Sequence, residues 1–129
     1  MPNNWTPLSC GKNTTTKYKN QEHIGSMFKD YKLDQVNKLQ AVKRADVVML
    51  LYLLEHKFSK EVKKANYDYY EKRTLHDSSL SLSTHSILAS DIDEKDLAYK
   101  LFQEATKIDL GENMKTSDHG IHAASLGGL

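Results

Sequence analysis

The chain has 129 residues, of which 39 % are hydrophobic and 27 % are charged, as is typical of one soluble globular domain. Its formal net charge is +1, so no long-range field favours nucleic acid or an anionic membrane. The single cysteine, Cys10, has no second cysteine for a disulfide or a zinc site. No basic-then-apolar leader is visible, and the longest apolar run, 47–54, is far too short to span a bilayer. We therefore expect a cytoplasmic protein that binds neither nucleic acid nor membrane.

The first residues differ from the rest of the chain. Residues 1–17 are rich in Asn, Thr and Lys and contain no hydrophobic period. We therefore predict an irregular N-terminal segment over 1–17 and a folded unit over 18–129.

The sequence of the folded unit predicts helices joined by loops. Asp34 is placed to cap a helix that runs through Val42. The helix predicted over 44–54 is apolar on nearly every side, and such helices are normally buried on most sides. The other helices are too few to cover it, which predicts a piece of a larger structure.

Two further helices follow. Ser59 is placed to cap a helix in which Val62 and Ala65 are predicted to face the core and Lys63 to face solvent. The next predicted helix follows the pair Ser78–Ser79, although its alternating Ser and Leu residues leave a strand open.

The last helix has the clearest signal. Asp91 and Glu94 have the spacing of a capping box, and an apolar stripe then recurs at the helical period. Gly111 is placed to end this helix with a left-handed cap. The predicted class is all-α, with polar clusters in the loops.

Two polar loops carry the chemistry of an oxyanion site. The loop 74–81 contains Ser78 and Ser79 at a predicted helix start, where free backbone N–H groups face an anion. In the loop 120–128, Gly120 lets the backbone approach a ligand and His122 donates to a phosphate oxygen. Simple helix capping and a tight loop with a satisfied histidine stay open as alternatives.

Other polar segments allow two interpretations each. Lys43 and Arg44 precede the buried helix, either as sugar or phosphate contacts or as a solvated helix start. The tyrosines and carboxylates of 66–71 either line a carbohydrate cleft or end a helix.

Two further catalytic patterns are weak. Residues 76–78 have the composition of a His-Asp-Ser triad, but triad members meet from separate segments. His85, Asp118 and His119 match no compact zinc pattern, so we predict no metal site.

Several of these segments, taken in order, resemble glycoside hydrolase family 65, the inverting disaccharide phosphorylases that act on maltose, trehalose or kojibiose. The matching segments are 43–47, 66–74, 76–81, 109–111 and 120–128. The resemblance extends over about 18–129. It implies a partial (α/α)6 barrel made of the late helices, and the cleavage of an α-glucosidic disaccharide by inorganic phosphate to give glucose 1-phosphate. It implies no cofactor, because inorganic phosphate is a co-substrate, and family members are often homodimeric.

The resemblance also implies roles for particular residues. Ser78, Ser79, His122 and the backbone near Gly120 fall in the phosphate site. Lys43 falls in a sugar-binding Lys-Gln pair, in which Arg44 here replaces the glutamine and removes its amide acceptor.

The family's general-acid glutamate has no match, so we predict that this chain contains no catalytic residue and is a fragment. It would carry the phosphate-binding half of the site. A stand-alone helical module that binds phosphate or a phosphosugar without catalysis is the alternative.

Overall fold

The computed structural model describes residues 17–19, 26–36, 39–110 and 120–128. Within these ranges the regular elements are helical, apart from one isolated bridge, so the predicted all-α class is confirmed. The helices are α1 (Met27–Asp30), α2 (Leu33–Val36), α3 (Asp46–Leu53), a 3-10 turn (Glu55–Lys57), α4 (Lys60–Glu71), α5 (Ser81–Asp91), α6 (Lys95–Thr106) and α7 (Ala123–Leu126).

Helix α5 is the centre of the described structure, because it packs against α3, α4 and α6. The main hydrophobic cluster joins these four helices through Ala45, Val48, Leu51, Tyr67, Leu88, Ala89, Ile92 and Ala98. The first two turns of α5 are buried even though most of their side chains are polar. Buried polar groups require hydrogen-bond partners, and the Ser86 hydroxyl donates to the Ala98 carbonyl at 2.8 Å. The strand alternative for this segment is wrong.

Helix α3 is buried on one face only. Val48 and Leu51 lie in the core, whereas Leu50 and Leu53 are 46 % and 63 % exposed. The prediction of burial on most sides therefore fails within the described residues. Their helices leave the outer face of α3 uncovered, as expected for a piece of a larger helical structure.

The helix predicted from Asp34 to Val42 is wrong in extent. Helix α2 ends at Val36, and Val42 instead forms a parallel bridge with Thr74. Leu39 packs against the cluster of Tyr18, Met27 and Leu75. These non-local contacts outweigh the local helical pattern.

Helix α4 begins as predicted but presents a different face to the core. The Ser59 hydroxyl accepts the Val62 N–H at 3.5 Å, which confirms the cap. Val62 and Ala65 are exposed, whereas Lys63 and Tyr67 are buried. The larger apolar area of Tyr67 determines the inward face, and Lys63 extends along that face so that its ammonium reaches Asp91.

The predicted capping box is also wrong. Asp91 is the last residue of α5, and α6 starts at Lys95 without a side-chain cap. Glu94 instead pairs with Lys64 at 2.6 Å. The apolar stripe of α6 is confirmed at Ala98, Leu101 and Ala105, which are buried, whereas Phe102, also expected in the stripe, is 41 % exposed. Gly111 lies outside the described residues.

Candidate functional site

A short parallel bridge joins the two segments that precede α3 and α5. The Val42 N–H donates to the Arg73 carbonyl and the Leu75 N–H donates to the Val42 carbonyl, each at 2.9 Å. Segment 43–46 therefore starts beside the loop 74–80. Two groups of predicted site residues, far apart in sequence, are thus adjacent in space.

The loop 76–80 has an unusual backbone. His76 has a φ of 56°, which is the left-handed region that non-glycine residues rarely adopt. The Ser78 hydroxyl accepts the Leu80 N–H at 3.4 Å and its carbonyl accepts the Ser81 N–H at 3.1 Å. Helix α5 has no side-chain cap, so the prediction that Ser78 or Ser79 caps it is wrong. Both serines are half-buried at the loop surface.

A buried polar cluster that the sequence did not predict lies directly behind this loop. Glu71, at the end of α4, lies with one carboxylate oxygen 2.5 Å from Nδ1 of His85 and 3.2 Å from Nε2 of His76. Its other oxygen accepts from the Lys19 ammonium at 2.5 Å. His76 and His85 are buried, and Glu71 is nearly so. One carboxylate therefore joins α4, α5, the loop 76–80 and the segment around Lys19.

The electrostatics of this cluster follow from its burial and hydrogen bonds. Burial raises the pKa of the Glu71 carboxyl, but the hydrogen bonds from His76, His85 and Lys19 outweigh burial and hold its pKa well below the usual range. Burial lowers the pKa of His76, and this effect exceeds the opposing one of the Glu71 carboxylate. Near neutral pH the cluster therefore contains an ionised Glu71 and a neutral His76.

The same three side chains have the ligand types of a metal site. The carboxylate and imidazole atoms of Glu71, His76 and His85 lie within 4.8 Å of one another. The Lys19 ammonium on the same carboxylate opposes a second cation, which favours a hydrogen-bonded network. Among the three residues that the sequence offered as metal ligands, His85 is hydrogen-bonded to Glu71. The other two, 118–119, lie outside the described residues. The absence of a metal site stays a prediction.

His122 in the loop 120–128 is hydrogen-bonded to Asp109, and about a third of its side chain, 33 %, is exposed. His122 lies with Nδ1 2.7 Å from one carboxylate oxygen of Asp109, and its backbone N–H donates to the other at 2.5 Å. These hydrogen bonds from His122 lower the pKa of Asp109. Gly120 has a φ of +126°, and nothing lies within 4 Å of an added Cβ. Its backbone conformation, rather than crowding, is what favours glycine at this position.

Both candidate loops lie against the N-terminal half of α5. A Cβ added at Gly128 would lie 2.7 Å from the Ser83 hydroxyl, so the loop 120–128 packs tightly on the first turn of α5. Ser125 is buried, and its hydroxyl has no partner among the described residues. The structure thus brings both loops to one helix, and their joint role in binding phosphate stays a prediction.

A cavity of about 110 Å³ opens between the start of α3 and the first turns of α5. It is lined by Arg44, Ala45, Asp46, Met49, Leu80, Ser81, Thr84 and His85. Arg44 lies with Nε 3.4 Å from an Asp46 carboxylate oxygen, so the guanidinium is paired at the rim. Of the predicted sugar-binding residues, Arg44 contributes to this cavity and Lys43 is exposed beside it.

The two remaining sequence hypotheses lose support. Tyr67 is buried in the core and Tyr69 lies under the Arg73 guanidinium at 3.7 Å, so the tyrosines of 66–71 do not line one cleft. The His76 ring bonds to Ser81 and Glu71, so its described hydrogen bonds give no support to the weak triad pattern of 76–78.

Comparison with known proteins identifies the family. A family profile described as the glycosyl hydrolase family 65 central catalytic domain matches residues 9–129. The chain belongs to glycoside hydrolase family 65. Its helical structure agrees with the predicted piece of an (α/α)6 barrel. Among the described residues, no helix is both long enough and apolar enough to cross a membrane.

Several similar proteins are named as disaccharide phosphorylases. A kojibiose phosphorylase of Halothermothrix orenii is 54 % identical over 106 residues, which are 82 % of this chain and 14 % of that protein. A kojibiose phosphorylase of Escherichia coli is 42 % identical over 88 % of this chain and 15 % of its own length. An α,α-trehalose phosphorylase of Thermoanaerobacter brockii is 45 % identical over 72 % and 12 %. The chain thus spans about a seventh of the first two.

A solved structure supports the fold. The protein named "Putative kojibiose phosphorylase from human microbiome" is 36 % identical and superposes with a TM-score of 0.76. The match covers 88 % of this chain and 16 % of that one. The helices described above are therefore arranged as in one part of a larger family 65 protein.

Proposed function

We propose that this chain forms the phosphate-binding half of a disaccharide phosphorylase site. Ser78, Ser79, His122 and the backbone near Gly120 would bind phosphate, while Lys43 and Arg44 would face the sugar. The general acid would come from outside this chain. The observation that carries the proposal is the bridge between Val42 and Thr74. It brings Lys43 and Arg44 beside the loop 76–80, which contains Ser78 and Ser79.

The chemistry of phosphorolysis explains why this half of the site needs only to bind and position phosphate. A phosphate oxygen attacks the anomeric carbon, the glycosidic C–O bond breaks, and its electron pair passes to the leaving oxygen, which takes a proton from a carboxylic acid. Phosphate is already an anion and requires no general base. The protein must therefore position phosphate and offset its charge, which hydroxyl, imidazole and backbone N–H donors do.

The support for the phosphate residues is geometric. Ser78 and Ser79 lie at a loop surface that is fixed from behind by His76 and Glu71. The Asp109 carboxylate receives two hydrogen bonds from His122, which fixes the position and the tautomer of the imidazole. With Nδ1 engaged by Asp109, Nε2 is the nitrogen that can meet a ligand.

Calorimetric titration of the chain with inorganic phosphate tests the proposal. We expect weak binding that the double variant S78A/S79A abolishes. Ser90, at the exposed far end of α5, provides the matched control, and S90A should bind phosphate as the parent does. Undiminished binding by S78A/S79A, or no binding by the parent, contradicts the proposal.

A turnover assay separates the half-site from the binding-module alternative. The chain alone should release no glucose 1-phosphate from kojibiose, trehalose or maltose. Turnover by the chain would contradict the proposed absence of the general acid. Tight phosphate binding without any response to these sugars would favour the stand-alone module.

A further inference from the structure

The hydrogen bonds between Asp109 and His122 decide which nitrogen of the His122 ring carries the proton. One carboxylate oxygen of Asp109 accepts the backbone N–H of His122 at 2.5 Å, and the other lies 2.7 Å from its ring Nδ1. These two bonds hold the pKa of Asp109 below its usual range, so the carboxylate is ionised near neutral pH. An ionised carboxylate only accepts hydrogen bonds, and Nδ1 therefore carries the proton.

The neutral His122 ring consequently presents a lone pair to a ligand. In a neutral imidazole one nitrogen donates and the other accepts, so Nε2 is an acceptor once Nδ1 holds the proton. The His122 side chain is 33 % exposed, whereas that of Asp109 is 9 % exposed. Among the described residues, the fully buried polar side-chain atoms without a partner belong to Tyr67, His85 and Ser125, and Nε2 of His122 is not one of them. A ligand can therefore reach this side of the ring.

A phosphate ion cannot bind that lone pair unless a proton comes with it. Phosphate oxygens are acceptors, and two acceptors that face each other repel. The Asp109 carboxylate behind the ring adds a second negative charge. A proton on Nε2 removes both obstacles, because an imidazolium ring donates from both nitrogens and places a positive charge between the two anions.

The charged groups around His122 are few in the described part of the chain. The end of α6 presents the Asp109 carboxylate, whose ion-pair partner among the described residues is His122 itself. Helix α5 presents the uncharged Ser83 to this loop, close to Gly128. The loop 120–128 contains no titratable side chain besides His122. The positive charge that offsets phosphate at this ring therefore comes from a proton.

We propose that His122 binds inorganic phosphate together with one proton, which lies in the hydrogen bond between Nε2 and a phosphate oxygen. The proton comes from solvent, and no covalent bond to phosphate forms or breaks. Asp109 is a positioning residue, because it holds the Nδ1 proton and so makes Nε2 the nitrogen that takes up the second one. That phosphate is the ligand of His122 rests on the proposed function, whereas the tautomer rests on the Asp109 contacts alone.

Calorimetry of the native chain counts this proton. At about pH 8.5 an ordinary imidazole is neutral and phosphate is a dianion. Titration with inorganic phosphate in two buffers of different ionisation enthalpy should therefore show uptake of about one proton per phosphate, and the dissociation constant should rise about tenfold per pH unit above that pH. Binding without proton uptake overturns this inference and leaves the proposed function standing, whereas no binding at all overturns both.

The variant D109N supplies a readout that a merely structural role of Asp109 would not change. The amide oxygen accepts the His122 backbone N–H, so the NH2 group donates to Nδ1 and the ring proton moves to Nε2. D109N should then bind phosphate at about pH 8.5 without proton uptake. Asp93 provides the matched control, because it shares the left-handed backbone, with a φ of 65° against 68°, but pairs with Lys60 at the surface. D93N should take up about one proton, as the parent does, and the same uptake by D109N overturns the positioning role.

Nitrogen NMR of the native chain decides the tautomer without phosphate and without a variant. In protein labelled with 15N-histidine at about pH 8.5, the His122 ring should show a protonated Nδ1 and an unprotonated Nε2. This measurement stands even if D109N does not fold. A proton on Nε2 in the free chain overturns the inference.

Discussion

Glu71 offers the sharpest test of the buried cluster. The variant E71Q keeps the size of the side chain but removes the charge that His76, His85 and Lys19 share. The amide retains one acceptor oxygen and turns an NH2 group toward groups that are themselves donors. The substitution therefore breaks a buried network without creating a cavity.

The magnitude follows from the contacts. A hydrogen bond to a charged group contributes about 1.5–3 kcal/mol, and breaking a buried ion pair costs about 3–5 kcal/mol. Because the amide keeps one acceptor, we expect E71Q to lose about 3 kcal/mol of unfolding free energy, a large part of the roughly 5–15 kcal/mol of a domain.

Urea unfolding followed by circular dichroism measures this loss. With a slope of about 1.5 kcal/mol per molar, the midpoint should fall by about 2 M. Asp68 lies on the same helix, half-exposed and 3.7 Å from Lys64, so D68N should leave the midpoint unchanged. A midpoint for E71Q that equals that of D68N would refute the structural role of the cluster.

The pH dependence of stability has a definite sign. The folded-state pKa of Glu71 is depressed, so its contribution is present above its unfolded pKa of about 4.5 and is lost as the pH falls below that value. The pKa of His76 is also depressed, so its contribution begins to be lost as the pH falls below about 6.5. Acid titration of the parent should show both losses, and E71Q should lack the one below about 4.5. An E71Q curve parallel to that of the parent would contradict this assignment.

Two further substitutions test the packing. The variant G128A places a Cβ 2.7 Å from the Ser83 hydroxyl and should cost about 1–3 kcal/mol of unfolding free energy. In the control G127A the added Cβ makes only ordinary contacts, so its stability should not change. Equal urea midpoints for the two variants would contradict the close approach of Gly128 to Ser83. The variant K63A removes a buried aliphatic stem and the ion pair with Asp91, and should cost about 1–2 kcal/mol of unfolding free energy. The control K60A removes an exposed ion pair and should change stability little. Equal effects of the two variants in thermal unfolding would contradict the inward position of Lys63.

The helices were predictable where local pattern and packing agree. The apolar stripe of α6 and the Ser59 cap of α4 both follow from neighbouring residues. The segment after Asp34 was not predictable in extent, because Val42 leaves the helical pattern to pair with Thr74, more than thirty residues away. Pairing at that separation has no local signal.

The candidate site was predictable only in part. The motifs around Ser78 and His122 are visible in the sequence, whereas the Glu71 cluster is not. Glu71, His76 and His85 are separated by five and nine residues, which match no helical period across the loop between them. His76 also adopts a left-handed backbone conformation, which a single histidine in the sequence does not predict.

Amide chemical-shift mapping with inorganic phosphate tests the central claim most directly. If the loops 76–80 and 120–128 bind one phosphate together, the amide resonances of Ser79 and His122 shift together and give the same dissociation constant. Two different constants, or a response confined to one loop, would contradict a shared phosphate site.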